Sequence, residues 1–231
     1  MIAARNILTE SVNSTNPGDG ESLYTGKTSQ KILGPHVMLD HFDIIAPFYD
    51  RVIHKLDLNR LIHLLKLPTR GRLLDAGGGT GRVSSRLRSL IDEVVVCDLS
   101  LFMLKQAKNK GRLLTVRTHV EQLPFPDESF ERIVVVDALH HFCDQRESIQ
   151  ELLRVLKTGG RLVIEEPNID NFIIKLLALA EKLAFMRSRF CSSHEIVRMI
   201  TDRGCNARVE SDGRFFFWVV VEKSDNGEME W

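Results

Sequence analysis

Between positions 72 and 222 apolar residues fall in short continuous runs, separated by stretches with helical spacing. Runs of four to six apolar residues suit strands buried on both faces of a parallel sheet. Such runs lie at residues 94–97 and 133–136, and shorter apolar stretches mark further strands at 72–76, 113–118 and 161–165. Helical patterns fill the gaps. One starts over residues 83–90. A second follows Ser100 as N-cap and turns Leu101, Leu104 and Ala107 inward. A third follows the capping box Asp144-x-x-Glu147, carries Ile149, Leu152, Leu153 and Leu156 on one face, and stops at Lys157-Thr158-Gly159-Gly160. Ser192-x-x-Glu195 caps a helix that ends at Gly204, and residues 207–210 and 215–222 read as two last strands. Strand–helix alternation of this kind predicts a three-layer α/β domain.

The flanks have another character. Residues 1–35 are polar and turn-rich, as in Asn16-Pro17-Gly18-Asp19-Gly20, and predict a mobile N-terminal arm, with an ordered cap over the site as the alternative. Residues 41–65 predict two short helices interrupted at Pro47. They either form a helical layer on the sheet or bring Phe42, Tyr49 and Asp50 over a ligand. The segment 168–191 is greasy, and its apolar run is broken by Lys175, Glu181 and Lys182, which makes it too short and too charged for a bilayer span. Residues 36–223 are then one domain with a lid segment near 168–191, and 224–231 are a polar tail.

Composition narrows the class. The chain has 231 residues, is 43% hydrophobic and 27% charged, and carries a formal net charge of zero. No broad basic footprint points to DNA or an anionic membrane. Cys97, Cys143, Cys191 and Cys205 are scattered without C-x-x-C or zinc spacing, so no metal site is expected and reduced thiols in a cytoplasmic protein are. The first twenty residues lack the apolar centre of a signal peptide.

The chemistry concentrates at residues 72–87, RLLDAGGGTGRVSSRL. Strand, glycine loop and helix in this order form a nucleotide-site elbow, because bare backbone lets amides approach a ligand and the helix start favours an anionic group. The dinucleotide fingerprint G-x-G-x-x-G would need glycine at 82, where Arg82 stands. The pattern present is D-x-G-x-G-x-G: Asp75, Gly77, Gly79, Gly81. Asp98 ends the second strand roughly 20 residues beyond the loop, the usual place for a carboxylate that holds a ribose diol. The alternative for Asp98 is an ordinary N-cap. Asp137, His140 and His141 follow the fourth strand, at the sheet edge where open α/β folds bind ligands. As neighbours, the two histidines are expected to face different ways, one structural and one a candidate base. Glu165 and Glu166, at the end of the fifth strand, read as solvated carboxylates, with one of them facing a substrate as the alternative.

Asp75-x-Gly77-x-Gly79-x-Gly81 resembles motif I of the class I S-adenosylmethionine (SAM)-dependent methyltransferases. Residues 41–50, HFDIIAPFYD, look like the opening segment of the type 11 and ubiquinone/menaquinone-biosynthesis C-methyltransferases. Leu123-Pro124-Phe125-Pro126-Asp127-Glu128-Ser129-Phe130, Leu139-His140-His141 and residues 151–167 are similar to further motifs of that family. The resemblance implies a Rossmann-like, seven-stranded sheet with the last strand antiparallel. It implies SAM as cofactor, S-adenosylhomocysteine as product, and a site of Tyr49, Asp75, Gly77, Gly79, Thr80, Gly81, Asp98, Leu99, His119, Val120 and Asp137. The loop with Thr80 would hold the methionine portion, Asp98 the ribose, His119 and Val120 the adenine, and Asp137 the amino end. His119 and Val120 stand where the family commonly carries an acid and alanine. His140, His141 and Tyr49 are the catalytic candidates. The acceptor implied is a small molecule, with a quinol ring favoured by the apolar lid; the same lid suits a peripheral membrane contact or a homodimer interface, and core packing is its plainer role. Other members methylate oxygen or nitrogen of small molecules or act on tRNA, and a catalytically idle SAM-binding module is the alternative of a different class.

Overall fold

The computed structural model of the protein describes residues 57–172, 174–175 and 188–224. The arm, the part of the expected helical stretch 41–65 that precedes position 57 together with Tyr49, most of the expected lid, and the tail lie outside the described residues.

Seven strands form one sheet: β1 (Arg72–Ala76), β2 (Glu93–Asp98), β3 (Leu114–Arg117), β4 (Phe130–Val136), β5 (Leu156–Pro167), β6 (Ala207–Ser211) and β7 (Phe216–Glu222). Their spatial order is β3-β2-β1-β4-β5-β7-β6. Neighbours from β3 to β5 pair in parallel, whereas β7 runs antiparallel to both β5 and β6. The expected sheet, with its last strand antiparallel, is the one found. Ala76 pairs with Cys97, so β1 and β2 end level and deliver the glycine loop and Asp98 to the same edge. Strand order reverses at β1, which opens a crevice between the loops that leave β1 and β4.

Five described helices flank the sheet: α1 (Leu58–Leu64), α2 (Ser84–Leu87), α3 (Leu101–Asn109), α4 (Gln145–Val155) and α5 (Ser193–Thr201). Side chains alternate between two cores, as the twofold period of a strand requires. Leu74, Ile133 and Val135 pack with Ile149 and Leu152 of α4 and Ile196 of α5. Leu73, Val96 and Val134 pack with Leu61, Leu87, Leu104 and Ala107 on the opposite face. Phe130, fully buried, meets Phe125 edge-on at 4.9 Å between ring centres. Such packing supplies most of the stability, about 1.5–3 kcal/mol for each large apolar side chain taken from water.

Several local expectations shift. The helix expected over 83–90 is a single turn, because Arg86 and Leu90 donate to carbonyls three residues back and tighten its ends. Ser100 caps α3 as expected, but Leu101 is exposed, and Met103 joins Leu104 and Ala107 on the inner face. Around Asp144 only half of the capping box forms. The Asp144 carboxylate accepts from the amides of Arg146 and Glu147, while its own N–H donates to Glu121 instead. Ser192 and Glu195 make the complete box. The fifth strand is longer at both ends than its apolar run, since β4 and β7 continue to pair with it.

Gly81 belongs to this packing. At φ +69° it takes a left-handed conformation, and a Cβ there would stand 2.9 Å from Leu113 Cδ1 and 3.3 Å from the Ala107 backbone. The bare position lets the loop close on α3. Gly81→Ala should therefore destabilise the fold by about 2 kcal/mol, from positive-φ strain and overpacking together; urea denaturation with unchanged stability would contradict this role.

Candidate functional site

A cleft enclosing about 960 Å³, its mouth included, lies over the carboxyl ends of β1, β2 and β4. The loop after β1 forms its floor. Gly77 and Gly78 both donate to the Cys97 carbonyl at the end of β2, at 2.9 and 3.1 Å, and Gly81 donates to Gly78 within the turn. Gly79 donates to Asp98 Oδ2 at 3.0 Å. The amides of the four glycines are thus engaged inside the protein, which corrects the expectation that these amides face an anion. Their bareness makes room. A Cβ on Gly77 would press on Ala138 and Phe142, and one on Gly78 would stand 2.6 Å from the Asp75 carboxyl carbon.

The expected residues distribute as follows. Asp75, Gly77, Gly79, Thr80, Asp98, Leu99, Val120 and Asp137 line the cleft; Gly81 packs behind it. Asp98 also accepts the N–H of Ser100 through Oδ1 at 2.8 Å, so it caps α3 and borders the cleft at once. His119 points away, with its side chain 57% exposed, because the chain is extended there and alternation turns Thr118 and Val120 inward instead. Glu121 reaches the cleft in its place. Gly78, Arg82, Ser100, Met103 and Phe142 also line it; the sequence pattern singled out none of them as site residues, although Gly78 sits inside the motif and Arg82 directly follows it.

The two histidines do part ways. His140 is buried, with Nδ1 donating to Glu166 Oε2 at 2.6 Å and its ring stacked on Phe190. Glu166 Oε1 accepts the amides of Ala138 and Leu139, so one carboxylate fixes the whole 3₁₀ turn, Leu139–His141. His141 faces the cleft with Ser188 Oγ 3.3 Å from Nδ1. Burial, reinforced by the neighbouring His140, pushes its imidazole down to about 3, which keeps it neutral near pH 7.

Glu165 and Glu166 are buried, not solvated: β7 pairs beside the end of β5 and the turn after β4 closes on it, which an apolar run in sequence does not reveal. Trp218 Nε1–H donates to Glu165 Oε2 at 2.7 Å. Burial pushes Glu165 up to about 7, with the Trp218 bond pulling the other way and the Asp137 charge adding to the rise. Asp75 is buried too and accepts from Ser84 Oγ at 2.6 Å. Burial pushes it up to about 6 against that hydrogen bond and the Arg82 charge. Because the folded Glu165 carboxyl holds its proton where the unfolded one releases it, folding loses stability as pH rises from about 4.5 to about 7. Glu165→Gln keeps an acceptor for Trp218 and removes the titration. It should melt higher than wild type at pH 8, with the gain gone by pH 4; a pH-independent difference in melting temperature would contradict the buried titration.

Residues 74–164 match the family described as "Methyltransferase domain". The ubiquinone/menaquinone biosynthesis C-methyltransferase UbiE of Pseudomonas aeruginosa (strain LESB58) is 34% identical over 141 residues, covering 57% of this chain and 55% of that protein. The chain therefore spans about half the length of the curated relatives it matches. Among solved structures, a SAM-dependent methyltransferase from Thermotoga maritima, described as a possible histamine N-methyltransferase, superposes with a TM-score of 0.66 at 22% identity, over 79% of this chain and 98% of that one. Geranyl diphosphate C-methyltransferase from Streptomyces coelicolor, crystallised with Mg²⁺, geranyl diphosphate and S-adenosylhomocysteine, gives 0.62 at 15% identity over 72% and 76%. At these identities the solved structures establish the fold. Strand order, glycine elbow and family match agree: residues 74–164 match a methyltransferase domain, and the sheet has the fold of these solved methyltransferases.

Proposed function

We propose that the chain binds SAM in this cleft and transfers its methyl group to a small, apolar acceptor, leaving S-adenosylhomocysteine. The observation that carries this reading is the meeting of Gly79 and Asp98. A glycine bend with room for a ligand and a carboxylate at the end of the next strand border one cleft, 3.0 Å apart. The cleft chemistry fits the cofactor. Carboxylates of Asp75, Asp98, Glu121 and Asp137 suit a cationic ligand, and Leu99, Met103 and Val120 supply apolar walls for a flat base.

Asp98 holds the ribose in this reading: a carboxylate oxygen accepts more than one hydrogen bond, so hydroxyls add to the amides of Gly79 and Ser100. Val120 offers its backbone N–H to an adenine nitrogen, and Glu121, rather than His119, has a carboxylate in place for the adenine amine. Thr80 and Asp137 stand toward the amino-acid end. When bound, SAM supplies a methyl group on a positively charged sulfur, already an activated leaving group. The protein's part is alignment, exclusion of water and any removal of a proton. His141, neutral and facing the cleft, orients an acceptor hydroxyl by hydrogen bonding; at a pKa of about 3 it is a feeble base. His140, held by Glu166, positions the turn that presents His141.

The UbiE similarity favours carbon methylation of a quinol-type ring, and Val136, Ala138 and Phe142 give the cleft an apolar wall on the β4 side. A zero net charge weighs against tRNA. The weakness of His141 as a base keeps a second reading in play, a SAM-binding module without turnover. Incubation with tritiated SAM and, separately, isoprenoid quinol extracts, small phenols and tRNA decides between them: label in the quinol fraction supports the first reading, and SAM binding with no label anywhere supports the second. Asp98→Asn should weaken S-adenosylhomocysteine binding by about tenfold or more, as loss of a charge-assisted bond implies. Unchanged affinity by calorimetry, with the fold intact by circular dichroism, would remove the ribose assignment.

A further inference from the structure

Among the lysines and arginines of the described residues, Arg82 is the one that lines the cleft. Four carboxylates share that lining with it: Asp75, Asp98, Glu121 and Asp137. The Asp75 carboxylate is taken by Ser84, and both oxygens of Asp98 by backbone amides. Arg82 makes no side-chain hydrogen bond or ion pair among the described residues. It sits half-buried with a planar set of donors free, next to the amides of Gly77, Gly78, Gly79 and Gly81, all of them already spent inside the loop. An anionic group entering the cleft beside the loop therefore finds a charged donor on Arg82, while the glycine amides are already spent.

We propose that Arg82 is the anion contact of the site and holds the α-carboxylate of the ligand's amino-acid end. This rests on the SAM reading above. The ligand carries one negative group among positive ones, and the cleft carries one guanidinium among carboxylates. The complement is specific: ammonium and sulfonium face acids, and the carboxylate meets a two-pronged donor whose geometry matches it. The Arg82 charge also acts on Asp75 in β1 and Glu165 in β5. The residue that rules out the dinucleotide fingerprint is thus the one that reads the amino acid.

The test compares S-adenosylhomocysteine with its decarboxylated analogue, which differs only by the carboxylate, on wild type, Arg82→Gln and Arg82→Lys by calorimetry. The expected result is a loss of about tenfold or more for S-adenosylhomocysteine on Arg82→Gln, less than twofold for the analogue, and partial recovery on Arg82→Lys. Equal losses for both ligands, or no loss for either, overturn the assignment while leaving the cofactor reading intact. Wild-type protein that binds neither ligand overturns the cofactor reading itself, so the two failures are distinct.

Discussion

The carboxylate of Asp98 ties the loop after β1 to the helix after β2. One oxygen accepts from Gly79 and the other from Ser100, so the same side chain terminates a strand, starts α3 and anchors the glycine bend. The Cys97 carbonyl, taking Gly77 and Gly78, completes the junction. None of this works unless β1 and β2 end level, which their parallel register ensures, and unless the bend is bare. Side chains at Gly77 or Gly78 would meet Ala138, Phe142 or Asp75 itself. The glycines serve compactness first, and the cleft is what remains when two strand ends are bound together without side chains between them.

A second constraint is charge. Asp75, Glu165 and Glu166 are buried close to the cleft, and burying carboxylates is unfavourable unless they are hydrogen-bonded or neutral. The protein uses both routes. Glu166 is bonded by two amides and an imidazole, while burial raises Asp75 and Glu165 toward neutrality. Glu166 in turn fixes the turn that carries His141 into the cleft, so an acid that touches no ligand sets the shape of the site's roof. The remaining acids leave the cleft poised for a cationic ligand, with Arg82 as the exception that gives it polarity from end to end.

Much of this was legible beforehand. The apolar pattern located all seven strands: continuous runs mark strands buried on both faces, such as β2 and β4, and weaker ones mark the part-exposed edge strands β3 and β6. The glycine loop with Asp98 located the cleft. Misplacements were local and had local causes. The motif places His119 in the cleft, but the extended backbone there turns it out, and the 3₁₀ turn Val120–Gln122 that follows breaks the alternation and brings Glu121 to the cleft. Glu165 and Glu166 read as solvated at the end of a run, but β7 pairs beside them, with Trp218 bonded to Glu165 and the turn after β4 bonded to Glu166. The Asp144 box lost its second half to a distant partner, Glu121, whose approach no spacing along α4 could announce.

The sequence alone determined the order of elements, the bend, and the acids at the ends of β1, β2 and β4, since those follow from local periodicity and from which residues tolerate a left-handed backbone. Only the tertiary structure decided which polar groups face the cleft and which are spent on the protein itself. Hydrogen bonds such as Gly77 to Cys97 or His140 to Glu166 join residues far apart along the chain. Their formation depends on register and packing across the sheet, which no window of neighbouring residues contains.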